Sequence, residues 1–125
     1  MDKKKILIVE DEKDMVYAVK LQLEAAGYEI IVANDGQEGL KKARAEKPNL
    51  VILDLMLPRM DGYQVCRMLK FDKTMNAIPI IMLTALGRRE DKTWGKRVKA
   101  DAYITKPFDA KDLLDEIKIL LNDGE

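Results

Sequence analysis

The sequence has no histidine and a single cysteine, Cys66, in 125 residues. Lacking histidine, the chain can build no His-ligated metal site and no Ser-His or Cys-His nucleophilic couple, and it cannot carry a phosphoryl group on an imidazole of its own. One cysteine excludes an internal disulfide, which fits a reducing cytoplasm. Charge of either sign is not in excess: 22 basic and 22 acidic residues give a formal net charge of zero. That balance recommends neither nucleic acid nor a membrane surface as a partner. No apolar run approaches the roughly 20 residues of a membrane span. The run Ile6–Val9 behind the N-terminal lysines is too short for a secretory signal. There is no glycine-rich phosphate loop, no internal repeat and no low-complexity segment.

What is present is a chain that is 47% apolar, enough for one domain over residues 1–125. Short runs rich in Ile, Val and Leu predict strands at Lys5–Val9, Glu29–Ala33, Leu50–Asp54, Pro79–Leu83 and Ala102–Thr105. Between them lie helical patterns. Val16, Val19, Leu23 and Ala26 share one face of a first helix closed by Gly27. Gly36, Gly39, Leu40 and Ala43 form a narrow stripe on a second. Asp61 caps a third, with Val65, Met68 and Leu69 buried and Cys66 beside them as a small packed hydrophobe. Residues 87–99 form a weakly amphipathic fourth, with Trp94 and Val98 its large apolar pair. Asp109 caps a fifth, carrying Leu113, Ile117, Leu120 and Leu121. Five strands alternating with five helices imply an α/β fold, a doubly wound parallel sheet covered on both faces. Such sheets carry function at the carboxyl ends of their strands.

Five chemically capable residues stand there. Strand one ends in Glu10 and Asp11, strand three in Asp54, strand four in Thr84 and strand five in Lys106. Capping by Asp11 and Glu12 accounts for part of the acidic run Glu10–Glu12, but not for Glu10, which continues the strand. Adjacent acids call for a cation. Three clustered carboxylates suit Mg²⁺, which takes hard oxygen ligands and keeps several waters. With the acids neutralised, Asp54 could act as a carboxylate nucleophile toward phosphorus. Lys106 could pair with Asp54 at rest and with phosphoryl oxygens later, and the Thr84 hydroxyl and the Ala85 backbone N–H could donate to the remaining oxygens.

Glu10-Asp11, the segment Val51–Pro58 around Asp54 with Asp61-Gly62 after it, Thr84-Ala85, and Tyr103-Ile104-Thr105-Lys106-Pro107-Phe108 together resemble the receiver domain of bacterial two-component response regulators. The resemblance implies a flavodoxin-like sheet of order 2-1-3-4-5. It implies that Asp54 accepts a phosphoryl group from a phosphohistidine on a sensor histidine kinase or a phosphotransfer protein. Asp11, Asp54 and the Met56 backbone carbonyl would bind Mg²⁺ directly, with Glu10 acting mostly through a metal-bound water. Lys106 and Thr84 would hold the phosphoryl oxygens, and Lys106-Pro107 would be a cis peptide. Thr84 and Tyr103 would form a switch that repacks the fourth helix, strand five and the last helix. A downstream protein target would then be met through residues 88–103 and the last helix.

Outside the resemblance, the segment 88–99 is basic, with Arg88, Arg89, Lys92, Lys96, Arg97 and Lys99 against Glu90 and Asp91. It reads as a solvated face or as a docking surface for an acidic partner. Met56 and Leu86, two residues beyond Asp54 and Thr84, are apolar and cannot orient an attacking water, so a long-lived phosphoryl group is expected. The chain ends just past the last helix, which fits a stand-alone receiver or a receiver module of a longer regulator; the former is the expectation. No turnover of an external substrate is expected. A Mg²⁺-dependent phosphohydrolase with an aspartyl nucleophile is the rival, but the position of its usual general acid is Met56. A flavin-binding domain would need a different loop where Glu10-Asp11-Glu12 stands.

Overall fold

A computed structural model describes residues 3–85 and 100–123. Its elements are β1 (Lys5–Val9), α1 (Lys13–Ala25), β2 (Glu29–Ala33), α2 (Gly36–Glu46), β3 (Leu50–Asp54), α3 (Gly62–Lys70), β4 (Ile80–Ala85), β5 (Ala102–Lys106) and a last helix, α4 (Ala110–Leu121). The strands form one parallel sheet of order β2-β1-β3-β4-β5, the flavodoxin-like arrangement expected. Four helices are found among the described residues; the further helix expected over 87–99, with Trp94, Val98 and its basic residues, lies outside them.

Alternation along the strands divides the core in two. Leu7, Val9, Val51, Leu53, Ile80 and Met82 pack with α2 and α3 on one face of the sheet. Ile6, Ile8, Leu50, Ile52, Ile81 and Leu83 pack with α1 and α4 on the other. All five residues of β3 are buried, as its unbroken apolar run predicts for a central strand. β5 lies at the sheet edge, and its residues alternate between half-buried and exposed.

Several local expectations need correction. On α3, Cys66 is fully buried, whereas Met68 is 43% exposed. The inward stripe is therefore Val65, Cys66 and Leu69, and burial pushes the Cys66 thiol up to about 11. Ala26 caps α1 and is exposed rather than sharing its inner face. Neither Asp11 nor Glu12 caps α1 with its side chain; Glu12 holds the N-cap position without such a bond. Asp109 likewise caps α4 without a side-chain hydrogen bond. Asp61 does cap α3, in a reciprocal box with Gln64. Gly27 ends α1 at φ +103°, the left-handed region that a glycine adopts without strain. β4 extends through Thr84 and Ala85, and β5 through Lys106.

Candidate phosphoacceptor and metal site

The strand register brings the carboxyl ends level. Val9 lies opposite Leu53, Asp54 opposite Leu83, and Ala85 opposite Lys106. Side-chain parity then selects which residues meet. Glu10 and Asp54 stand two residues beyond Ile8 and Ile52 of the core on the α1/α4 face, and Lys106 two beyond Ile104, which is half-buried against that core. With a period of two, all three leave the sheet toward the same side.

They meet there. Glu10 is 1% and Asp54 4% exposed, the two buried charged side chains among the described residues. The Lys106 Nζ lies 2.8 Å from Glu10 Oε1 and 3.4 Å from Asp54 Oδ1. The cation called for by the acidic run is thus Lys106, and its nearer partner is Glu10 rather than Asp54. Glu10 Oε2 accepts from the backbone N–H groups of Asp11 and Glu12, each at 3.1 Å. Asp54 Oδ1 accepts from the Met56 N–H at 3.3 Å.

Burial raises the Glu10 carboxyl to about 7; the neighbouring Asp54 charge adds to this, and the Lys106 hydrogen bond opposes it. For Lys106, burial works against the ammonium. The hydrogen bond to Glu10 and the charges of Asp54 and Glu10 outweigh it and leave the pKa raised. By formal charge, the two buried acids outnumber the one lysine between them.

Asp11 completes the set. One carboxylate oxygen from each of Glu10, Asp11 and Asp54 lies within 4.8 Å of the others. Two of these acids are buried and Asp11 is exposed, so the cluster opens to solvent on one side. Hard, anionic oxygen donors with residual negative charge and an open side fit a small divalent cation such as Mg²⁺.

The remaining candidates lie around this centre. Thr84 and Ala85 are half-buried at the end of β4, in register with Thr105 and Lys106. Thr84 follows Met82 of the opposite core, and among the described residues no hydrogen bond joins it to the acids. Tyr103 is 44% exposed on β5, and its hydroxyl accepts from the Ala100 N–H at 3.2 Å. The Met56 side chain is 58% exposed beside Asp54. The Lys106-Pro107 peptide is cis. Leu86 and Arg88–Lys99 lie outside the described residues.

Two features were not foreseen. Asp101 Oδ2 accepts from Lys70 Nζ at 2.8 Å and from the Ile80 N–H at 2.7 Å, tying the end of α3 to the starts of β4 and β5. Met75, in a stretch that reads as a polar loop, is 1% exposed.

The model for the response regulator receiver domain matches residues 6–118, and the chain belongs to that family. It is 46% identical over 122 residues to the alkaline phosphatase synthesis transcriptional regulatory protein PhoP of Bacillus subtilis, covering 98% of this chain and 50% of PhoP. It therefore spans about half the length of that relative. Protein PilH of Pseudomonas aeruginosa is 39% identical over 117 residues, covering 94% of this chain and 97% of PilH. Among solved structures, the receiver domain of sensor histidine kinase PA1611 from Pseudomonas aeruginosa superposes with a TM-score of 0.89 at 25% identity, covering 97% of this chain and 99% of that one. That structure carries a magnesium ion coordinated in its active site cleft.

The expectation from charge balance that nucleic acid is no partner finds no support among the relatives. PhoP, about twice as long as this chain, is a transcriptional regulatory protein. Among the described residues no helix is long and apolar enough to cross a membrane.

Proposed function

We propose that this receiver accepts a phosphoryl group on Asp54 from a phosphohistidine of a sensor histidine kinase or a phosphotransfer protein. The observation that carries the proposal is the convergence of Glu10, Asp11 and Asp54 on one point, with Lys106 bridging the two buried acids. An Asp54 carboxylate oxygen attacks phosphorus, the P–N bond to the donor imidazole breaks, and the imidazole takes up the electron pair and a proton. Asp11, Asp54 and the Met56 carbonyl would hold Mg²⁺ directly, and Glu10 through water; the ion supplies charge neutralisation to the acids and to the incoming phosphoryl oxygens. Lys106 already lies within reach of Asp54, so its ammonium can follow the charge onto the phosphoryl group. The Thr84 hydroxyl and the Ala85 N–H would donate to the other oxygens.

The new charge then biases two packings of the same chain. Thr84 moves toward the phosphoryl group, and Tyr103 turns inward from the exposed position it occupies here. The surface affected includes an open groove of about 660 Å³ lined by Tyr103, Phe108, Asp112 and Glu116, among others. A downstream protein would dock there and along residues 88–103. The chain changes its own phosphorylation state and turns over no external substrate; the cytoplasm is its proposed location.

Intact mass after incubation with acetyl phosphate tests this, with and without Mg²⁺, on the wild type and Asp54→Asn. One added phosphoryl group that requires both Mg²⁺ and Asp54 is expected. No adduct on a folded wild type would overturn the proposal, as would continuous release of phosphate at a hydrolase rate.

A further inference from the structure

The loop that leaves Asp54 is held by two residues with no side chain. Gly62, the first residue of α3, donates its N–H to the Leu55 carbonyl at 2.9 Å. A Cβ built on Gly62 would stand 2.8 Å from Leu55 Cα and closer still to the Asp54 carbonyl oxygen. These are backbone atoms of the phosphoacceptor and its neighbour, and they cannot rotate away as a side chain can. From the other side, Gly36 of α2 faces the same loop. A Cβ there would lie 2.8 Å from the Met60 carbonyl oxygen and 2.9 Å from Val65 Cγ2. Between these contacts, Leu55 and Leu57 are buried and the intervening Met56 side chain is exposed.

We propose that Gly62 is a positioning residue of the phosphoacceptor centre, with Gly36 supporting it from α2. The missing side chain at position 62 lets the end of β3 and the start of α3 approach closely. That approach sets where Asp54 leaves the sheet, and with it the Asp54 carboxylate and the Met56 carbonyl assigned above to Mg²⁺. The inference rests on that assignment. It differs from a role in stability alone, because it requires the metal affinity to change at an unaltered set of ligand side chains.

Gly27 supplies the control. Its φ of +103° makes any side chain strained, yet a Cβ there meets no atom within 4 Å. Gly27→Ala should therefore lose stability while leaving the site alone.

The test is Mg²⁺ binding, by calorimetric titration and by the Mg²⁺-dependent rise in melting temperature, on wild type, Gly62→Ala, Gly36→Ala and Gly27→Ala. Circular dichroism establishes folding. The expected result is a Kd for Mg²⁺ raised about tenfold in Gly62→Ala, the scale seen when the support of a metal ligand is removed. A smaller rise, roughly threefold, is expected for Gly36→Ala, and none for Gly27→Ala despite its lower melting temperature. A folded Gly62→Ala with the wild-type Kd overturns the proposal, as does an equal loss in Gly27→Ala. Should Gly62→Ala fail to fold, Gly36→Ala decides, and an unchanged Kd there overturns it. A wild type that binds no Mg²⁺ would instead remove the functional assignment on which the inference stands.

Discussion

Lys106 sits nearer to Glu10 than to Asp54, at 2.8 Å against 3.4 Å. Its ammonium holds together two acids that the fold buries side by side, and Glu10 takes the shorter bond. Glu10 thus has a task that capping cannot give it: it holds the lysine beside Asp54.

Lys106→Ala follows from this geometry. It leaves two buried carboxylates with no cation within 4.0 Å among the described residues, a change that costs several kcal/mol when both charges are dry. Glu10 can relieve part of that cost by taking up a proton, since burial already raises its pKa to about 7. A loss of about 1–3 kcal/mol at neutral pH without Mg²⁺ is expected, read by urea denaturation. Phosphorylation by acetyl phosphate should slow by about two orders of magnitude, as when one donor to a developing charge is removed. A variant as stable and as reactive as the wild type would refute the bridging role.

The alternation of apolar runs with helical stripes was enough to read a parallel sheet, and residues that close three of the runs are ones the fold brings together. Parity along the strands explains the convergence of Glu10, Asp54 and Lys106: the first two continue the pattern of core residues Ile8 and Ile52, and Lys106 that of Ile104, half-buried against the same core. Other features were hidden for physical reasons. Met68 and Cys66 both flank the inner face of α3, and only the packing of α3 on the sheet decides that Cys66 goes in. That Glu10 outcompetes Asp54 for Lys106 depends on fractions of an ångström across three strands. The crowding at Gly62 is with backbone, which leaves no apolar pattern. Asp101 serves residues 21 and 31 positions away, so nothing local marks it.

Met56 should govern how long the phosphoryl group lasts. Its side chain is exposed beside Asp54, where a polar group could hold a water for attack on phosphorus. A thioether holds water poorly. Met56→Asn, alone or with Leu86→Glu, is expected to speed loss of the phosphoryl group by about tenfold, a modest share of what a well-placed base contributes. Decay of the adduct by mass spectrometry after removal of the donor measures it, and an unchanged half-life counts against the idea.

Thr84 and Tyr103 should be coupled through the phosphoryl group. Tyr103 starts 44% exposed, so an inward turn is visible as lost solvent access in a fluorotyrosine NMR label. Thr84→Ala should still take the phosphoryl group on Asp54, more slowly, while Tyr103 stays outward. A Tyr103 signal that shifts equally in both proteins would show that the two residues respond independently.

The last turn of the chain gives a pH prediction away from the acidic centre. Asp123 accepts from Lys4 Nζ at 2.7 Å and from the Tyr28 hydroxyl at 3.0 Å, which ties the end of α4 to the segments entering β1 and β2. The Lys4 hydrogen bond, aided by that from Tyr28, holds the Asp123 carboxyl below its ordinary value of 3.8. Burial, with the Asp123 bond second, pushes Tyr28 up to about 12. A carboxylate with a lowered folded pKa adds stability above its unfolded pKa and loses it as pH falls through the folded one. For the tyrosine, raised when folded, the contribution is whole below 10 and fades as pH rises through about 12. Asp123→Asn should therefore be less stable than wild type at pH 7, and the gap should close as the medium is acidified below the usual aspartate range. Urea denaturation of both proteins across that range is the measurement; a gap of constant size would mean that Asp123 acts by shape and not by charge.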